Sequence, residues 1–240
     1  IHPVGCTAFT HEGARLFGTS ELVGLPAFGR ADTTRPGEAL RAVRESVRGQ
    51  PAGRQARATV RNLTAGNRFW AYAVRADCEA GAGFTRRVGL GDPVAQVVVQ
   101  VQERWDGKGL PAGLGGEAIQ VGARVLALAN QVEIFHRSDG PEQAMAMAWR
   151  RAGGWFDPAA VQAFQRRAGD IVAELEAGSV WDAVLQAEPA PPVTIPEWRL
   201  DEVAGALADV VDVKSPWLLG HSSGVARLAE RAAAGLGLGG

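Results

Sequence analysis

The chain has 240 residues and a formal net charge of −1, with 25 lysines and arginines against 26 aspartates and glutamates. Phosphate binding through bulk charge needs a clustered excess of basic residues, so this balance predicts no direct nucleic-acid binding. Hydrophobic residues make up 46% of the chain, which is enough for a packed core and argues against global disorder.

The two cysteines, Cys6 and Cys78, are too few for a disulfide framework or a zinc cluster. We interpret them as thiols of a reducing compartment and expect a cytoplasmic protein. The sequence has no apolar run of about 18 residues and no signal-peptide pattern, so it predicts no membrane span. The chain begins at Ile1 without a methionine and ends just after a helical pattern, from which we expect a segment of a longer protein.

Helix-favouring residues dominate the chain, and runs of β-branched or aromatic residues are scarce, which predicts an all-α fold. Three consecutive valines, Val97 to Val99, would also suit a strand, but Asp92 and Pro93 give this segment the cap and first position of a helix. Apolar spacing and capping residues predict helices over residues 36–48, 55–63, 67–88, 92–104, 117–135, 142–149, 157–175, 179–185, 200–213 and 222–236.

Two segments fall outside this helical pattern. Residues 106–116 contain five glycines and one proline, which predicts a loop. Residues 188–197 contain four prolines, which predicts a linker between two domains.

The phrase E-R-W-D-G-K-G-L-P at residues 103–111 is the most informative motif. A glycine-rich loop with an aspartate and a lysine can bind phosphate, although most such loops are only turns. Further phrases follow: G-L-G-G-E-A-I at 113–119, A-R-V-L at 123–126 and F-D-P at 156–158. This series, within residues 95–170, resembles the carboxyl-terminal half of HD-GYP domains, which are helical metal-dependent phosphohydrolases.

The resemblance implies an HD-domain-like helical bundle and a phosphodiesterase-like activity toward cyclic di-GMP, with iron or manganese as the metal. The phrase D-V-K-S-P-W-L-L-G-H-S-S-G-V-A at residues 212–226 resembles the opening of another HD domain, in which His221 would start the metal site. We therefore expect an HD-GYP-like domain without its first helix over residues 1–187, then the linker, and the first helices of a second HD domain over residues 198–240.

Most metal ligands of the family are replaced in the first domain. The resemblance aligns His2 with the signature histidine, but Pro3 replaces the signature aspartate. Val101 and Gln102 stand where the family has two histidines, and Asn130 stands where it has an aspartate. Three further positions also differ from the family. Asp77 aligns with a family histidine, Leu110 with the tyrosine of the loop, and Cys6 with a frequent lysine. The sequence therefore predicts no catalytic residue and no bound metal cofactor in this segment. His2 and His221 are the candidate metal ligands, which are either vestigial or functional only in the intact protein.

The loop residues Arg104, Asp106 and Lys108 are the candidates for ligand contact, although packing, capping and turn formation alone would also account for this motif. The remaining histidines receive structural interpretations: His11 as a surface residue near a helix start, and His136 at a helix C-terminus, where the dipole favours a cation. A series of six arginines is interpreted as a solvated helix face, and a nucleotide-binding stripe is the alternative. These residues are Arg41, Arg44, Arg48, Arg54, Arg57 and Arg61.

Two functions remain open at this stage. The first is a phosphohydrolase family protein whose present segment is catalytically inactive. The second is a non-catalytic helical module that senses a nucleotide or binds a regulatory partner or a second copy of itself. A transcriptional regulator that contains such a module is a further alternative. A cyclic dinucleotide and a homodimer are accordingly the expected partners.

Overall fold

The computed structural model describes Gly13 and residues 27–176, 178–213 and 215–238. Among these residues the only β-type pairing is an isolated bridge between Ala152 and Phe156, so the predicted all-α fold is confirmed. The helices are α1 Pro36–Ser46, α2 Ala52–Arg61, α3 Asn67–Arg87, α4 Gly91–Gln100, α5 Val121–Asp139, α6 Pro141–Arg151, α7 Pro158–Glu176, α8 Val180–Gln186, α9 Leu200–Asp212 and α10 His221–Gly235.

A π-helical turn, Asn62–Gly66, joins α2 to α3, so these two predicted helices form one continuous rod. The valine-rich segment is helical, as predicted, but α4 ends at Gln100 rather than at residue 104. Asp92 does not cap this helix: it lies in the first turn, and its carboxylate accepts a hydrogen bond from Arg86 Nε at 2.7 Å. The next helix begins four residues later than predicted, because Gly116–Ala118 forms a separate 3-10 turn.

The helices pack as successive pairs. Helix α3 packs against α4, α5 packs against α6, and α7 contacts both helices of the second pair. Helices α4 and α5 cross closely at Gly122, where a Cβ atom would meet Val97 Cγ2 at 2.9 Å. The core of the second pair and α7 is one cluster of buried side chains: Leu128, Val132, Ala144, Met147, Ala148, Phe156 and Val161.

The segment after residue 186 differs from the rest. Residues 188–196, part of the predicted linker, lie outside any helix and are exposed. Helix α9 packs on α3, where Arg87 donates to Asp209 at 2.6 Å. Within α10, which the structure describes in full, no residue is buried. No helix among the described residues is both long and apolar enough to cross a membrane.

Asp212 attaches α10 to α9. Its carboxylate accepts hydrogen bonds from the Ser222 backbone N–H at 2.9 Å and from the Ser222 hydroxyl at 2.6 Å. The Ser222 hydroxyl is the main cause that holds the pKa of Asp212 below its ordinary value of 3.8. A carboxylate whose pKa is lowered on folding stabilises the fold at higher pH and loses that effect as the pH falls through the lowered pKa.

We therefore predict that Asp212→Asn loosens α10 at pH 7, because the amide accepts hydrogen bonds less strongly than a carboxylate does. Amide hydrogen exchange should become faster in α10 and stay unchanged in α3. The exposed Asp201→Asn in the first turn of α9 is the matched control and should leave both helices unaffected. Wild-type protein should lose the same protection below pH 3.8. Equal exchange in Asp212→Asn and wild type would contradict this prediction.

Candidate functional site

The loop between α4 and α5 is the structural counterpart of the glycine-rich motif. Its backbone is fixed against the segment after α6, because Trp105 N–H donates to Trp155 O at 3.1 Å and Asp106 N–H donates to Gly154 O at 2.8 Å. Within the loop, Gly116 N–H donates back to Trp105 O at 2.9 Å. The motif is therefore an ordered part of the fold.

Glu103 organises the interior of this loop. The residue is 3% exposed, and its two carboxylate oxygens accept hydrogen bonds from Ala112 N–H at 2.7 Å and from Leu114 N–H at 2.9 Å. Gly109 lies so close to this segment that a Cβ atom there would be 2.3 Å from Arg104 N. Both oxygens of the loop's buried carboxylate are thus committed to its own backbone.

Arg104 connects the loop to the segment before α1. Its guanidinium donates to Asp106 through Nε at 3.0 Å and Nη2 at 2.8 Å, and to Asp32 Oδ1 through Nη1 at 2.8 Å. The Thr34 hydroxyl donates to the same Asp32 oxygen at 2.6 Å. Burial alone would raise the pKa of Asp32, but the hydrogen bonds from Arg104 and Thr34 outweigh it and leave that pKa below its ordinary value.

Trp155 is the aromatic contact of two arginines. The guanidinium carbon of Arg104 lies 4.6 Å from the ring centroid, and that of Arg151 lies 4.5 Å from it. Arg151 also donates to Gln131 Oε1 at 2.9 Å and to Arg30 O at 2.6 Å. Burial lowers the pKa of Arg151, and these acceptors offset part of the cost of burying its charge.

The A-R-V-L and F-D-P phrases meet in space. Arg124, in the first turns of α5, donates to Asp157 Oδ2 at 2.8 Å, and its guanidinium lies 5.6 Å from the Trp105 ring. Asp157 caps α7, as predicted, because its Oδ1 accepts a hydrogen bond from Ala159 N–H at 2.8 Å. These two motifs therefore form a structural ion pair beside the loop.

The positions aligned with metal ligands do not form a metal site. Val101 is buried, and Gln102 and Asn130 are half-buried. Asp77 is also buried, and the pKa of the neighbouring Cys78 thiol is raised to about 12 by burial first and then by the charges of Asp77 and Glu103. Among the described residues no group of three or more histidines, cysteines and carboxylates could hold a metal ion. This donor set does not fit the binuclear centre that the resemblance implies.

The predicted site residues are not all brought together. His2 and Pro3, as well as Cys6 and His11, lie outside the described residues. Of the three loop candidates, Arg104 and Asp106 pair with each other, whereas the side chain of Lys108 is 67% exposed and lies 3.9 Å from Asp106. His221 is the first residue of α10 and is exposed, so its assignment to a metal site stays a prediction. His136 lies in the last turn of α5, and Cys78 is buried, as predicted.

Sequence reasoning missed Asp32, Thr34, Arg151 and Trp155. The spacing of Asp32 and Thr34 before the helix start at Pro36 carries a weak signal, because an aspartate often accepts a hydrogen bond from the backbone two residues on. Thr34 N–H does donate to Asp32 Oδ1, at 3.1 Å. Nothing in the sequence indicates that Arg104, 72 residues away, pairs with the same carboxylate.

Comparisons with known proteins define the class of this fold. Residues 78–160, from the middle of α3 to the start of α7, match the HD domain family. A solved structure of a cyclic GMP-AMP specific phosphodiesterase of V. cholerae, V-cGAP3, superposes with a TM-score of 0.63 at 22% identity, over 92% of this chain and 61% of that chain. Residues 78–160 are therefore similar to the HD domain family, and the described fold is similar to that of this phosphodiesterase structure.

The names of the curated relatives also state the substrates of those proteins. The 3'3'-cGAMP-specific phosphodiesterase 3 of Vibrio cholerae serotype O1 is 29% identical over 171 residues, which are 70% of this chain and 37% of that protein. A cyclic di-GMP phosphodiesterase of the same organism is 35% identical over 75 residues, which are 29% of this chain and 15% of that protein. The chain thus spans little more than a third of the longer match.

We predict that Arg104→Met lowers the free energy of unfolding by about 3–5 kcal/mol, because it breaks the shorter ion pair of the buried Asp32 carboxylate and leaves it only the ion pair with Arg35 Nε at 3.5 Å. Urea denaturation measures the change. Arg86→Met is the matched control: it removes the ion pair with Asp92, whose side chains are 45% and 77% exposed, and should cost at most about 1 kcal/mol. A loss of under about 1 kcal/mol for Arg104→Met would contradict a structural role for this pair.

A second prediction concerns Gly109. Gly109→Ala should destabilise the protein, because the added Cβ would meet Arg104 N at 2.3 Å and Glu103 Cα at 2.5 Å, both of them backbone atoms. Gly169→Ala in the middle of α7 meets nothing within 4 Å and should instead stabilise the protein by about 0.5–1 kcal/mol. Thermal unfolding of both variants should therefore give shifts of opposite sign, and shifts of the same sign would refute the proposed loop packing.

Proposed function

We propose that this chain is a non-catalytic HD domain that binds a cyclic dinucleotide as a regulatory ligand. The observation that carries the proposal is the donor set at the former metal positions: Val101, Gln102 and Asn130 are uncharged, and none of them is a histidine or a carboxylate. Divalent iron and manganese are held by imidazole and carboxylate groups. Hydrolysis of a phosphodiester by two metals needs both ions in place.

The fold of the loop supports this proposal, because it does not depend on a metal. Glu103 accepts two backbone hydrogen bonds from the loop, and Arg104 fixes Asp106 to Asp32. A loop held in this way retains its shape after its metal ligands are lost. It can then still present Lys108 to an anionic ligand.

The class of ligand comes from the relatives, whose names are those of phosphodiesterases acting on 3'3'-cGAMP and cyclic di-GMP. We therefore propose a cyclic dinucleotide as the ligand and the cytoplasm, where the sequence predicts this protein, as its location. The tandem arrangement belongs to the same proposal: residues 198–240 would start a second HD domain, with His221 at its metal site. Homodimer formation remains a prediction.

A second candidate function is hydrolysis of the dinucleotide by this chain. It is favoured by the relatives, because their names are those of phosphodiesterases. One experiment separates the two functions. The full chain is purified with added iron and manganese, its metal content is measured, and it is incubated with 3'3'-cGAMP and with cyclic di-GMP. We expect no stoichiometric metal, no linear product by chromatography, and binding of at least one dinucleotide by calorimetry. Two metals per chain together with product would overturn the non-catalytic proposal.

The calorimetric measurement also tests the loop. Lys108→Gln should weaken dinucleotide binding, because it removes the one exposed cation among the three predicted loop residues. Arg227→Gln, an exposed cation on α10, is the matched control and should bind as the wild type does. Equal affinity in both variants would place the ligand away from the loop, and no binding by the wild type would leave the chain without this function.

A further inference from the structure

Positive charge is concentrated in one part of the chain. Residues 35–75 contain nine arginines, two glutamates and neither lysine nor aspartate, although the whole chain has a net charge of −1. These residues cover α1, α2 and the first half of α3. The expectation of no polyanion binding came from the net charge of the chain, and an uneven distribution of charge removes its basis.

The arginines form rows along the helices. In α2, Arg54, Arg57 and Arg61 are spaced at i, i+3 and i+7, and all three are exposed. In α3, Arg68 and Arg75 are seven residues apart and exposed. Residues at these spacings share one face of a helix. The π-helical turn separates the two rows along the rod.

The rod gives the rows their length. At 1.5 Å per residue, the 21 steps from Arg54 to Arg75 span about 32 Å. Helix α1, which packs on α2, adds the exposed Arg41 and Arg44, and Arg48 is exposed just after the end of that helix. We call these exposed arginines within residues 41–75 the arginine surface.

Most arginines of the arginine surface have no ion-pair partner among the described residues. Of the two glutamates, Glu38 accepts from Asp32 N–H at 2.8 Å and Glu45 accepts from Arg30 at 2.8 Å. The following arginines form no ion pair with another described residue: Arg41, Arg44, Arg48, Arg54, Arg57, Arg68 and Arg75. Exposed guanidinium groups of this kind suit phosphate, because their planar donors match its oxygens.

An exposed aromatic ring lies within the α3 row. Tyr72 is 62% exposed and stands four residues after Arg68 and three before Arg75, on the same face of the helix. An aromatic ring between cations provides a stacking surface for a base. The apolar face of α3 is already packed, since Val74, Cys78 and Ala82 are buried. This face is therefore not free to insert into a lipid surface.

We propose that the arginine surface binds single-stranded nucleic acid, with arginines contacting phosphates and Tyr72 stacking on a base. The proposal stands apart from the proposed dinucleotide function, because the arginine surface does not include the glycine-rich loop. RNA and DNA share the phosphate and base chemistry on which it rests.

The test measures binding of the full chain to fluorescently labelled 12-nucleotide oligo(dT) and oligo(U) by anisotropy, from 50 to 200 mM salt. Arg68→Glu/Arg75→Glu should weaken binding about tenfold or more at 50 mM salt. It should also reduce the slope of log K against log[salt] by about 1.4, since each phosphate contact on a single strand contributes about 0.7. Arg227→Glu/Arg231→Glu on α10 makes the same change in net charge at exposed helical positions and should stay within about twofold of wild type.

Two substitutions of Tyr72 test the proposed stacking on a base separately from the phosphate contacts. Tyr72→Ala should weaken binding about fivefold or more, whereas Tyr72→Phe, which keeps the ring, should bind as wild type. Circular dichroism confirms that each variant keeps its helices. Binding of either RNA or DNA supports the proposal. Four results would overturn it: no binding at 50 mM salt, equal losses in the two double variants, tighter binding to a duplex, or equally tight binding to anionic phosphatidylserine vesicles.

Discussion

The buried guanidinium of Arg104 is the interaction on which the glycine-rich loop depends. It joins three parts of the chain that are far apart in sequence: Asp32 before α1, Asp106 in the loop, and the Trp155 ring after α6. Removing such charges from water is costly, and the cost is recovered only when every donor and acceptor meets a partner at good geometry. A small shift in any of the three segments would therefore disturb the contacts that Arg104 makes with the other two.

The same geometry gives the E-R-W-D-G phrase a structural role that needs no metal ion. In a metal centre a carboxylate is held by a cation, whereas here the acceptors of Glu103 are satisfied by Ala112 N–H and Leu114 N–H. Gly109 is required beside it for space, because a side chain there would meet the backbone.

The sequence was most informative where local physics decides the structure. The extents of α3, α9 and α10, and the cap at Asp157, follow from apolar spacing and capping residues and agree with the structure. The end of α4 and the start of α5 do not, because they are set by contacts with the folded loop, such as Gln120 N–H donating to Gln100 Oε1 at 2.7 Å. The partners of Arg104 were unpredictable for the same reason, since ion pairs across 72 residues leave no local pattern.

Arginine shows why composition alone was misleading for charge. Arg104 is buried and Arg151 is half-buried, and both lie against the Trp155 ring with acceptors around them, so their charges are balanced within the fold. Arg68 and Arg75 are exposed and make no ion pair with another described residue, so their charges are directed outward. A net charge counts all four equally, although only the second pair contributes a field that an external polyanion would meet. Burial and pairing, which only the folded chain defines, therefore decide which charges can act on a partner.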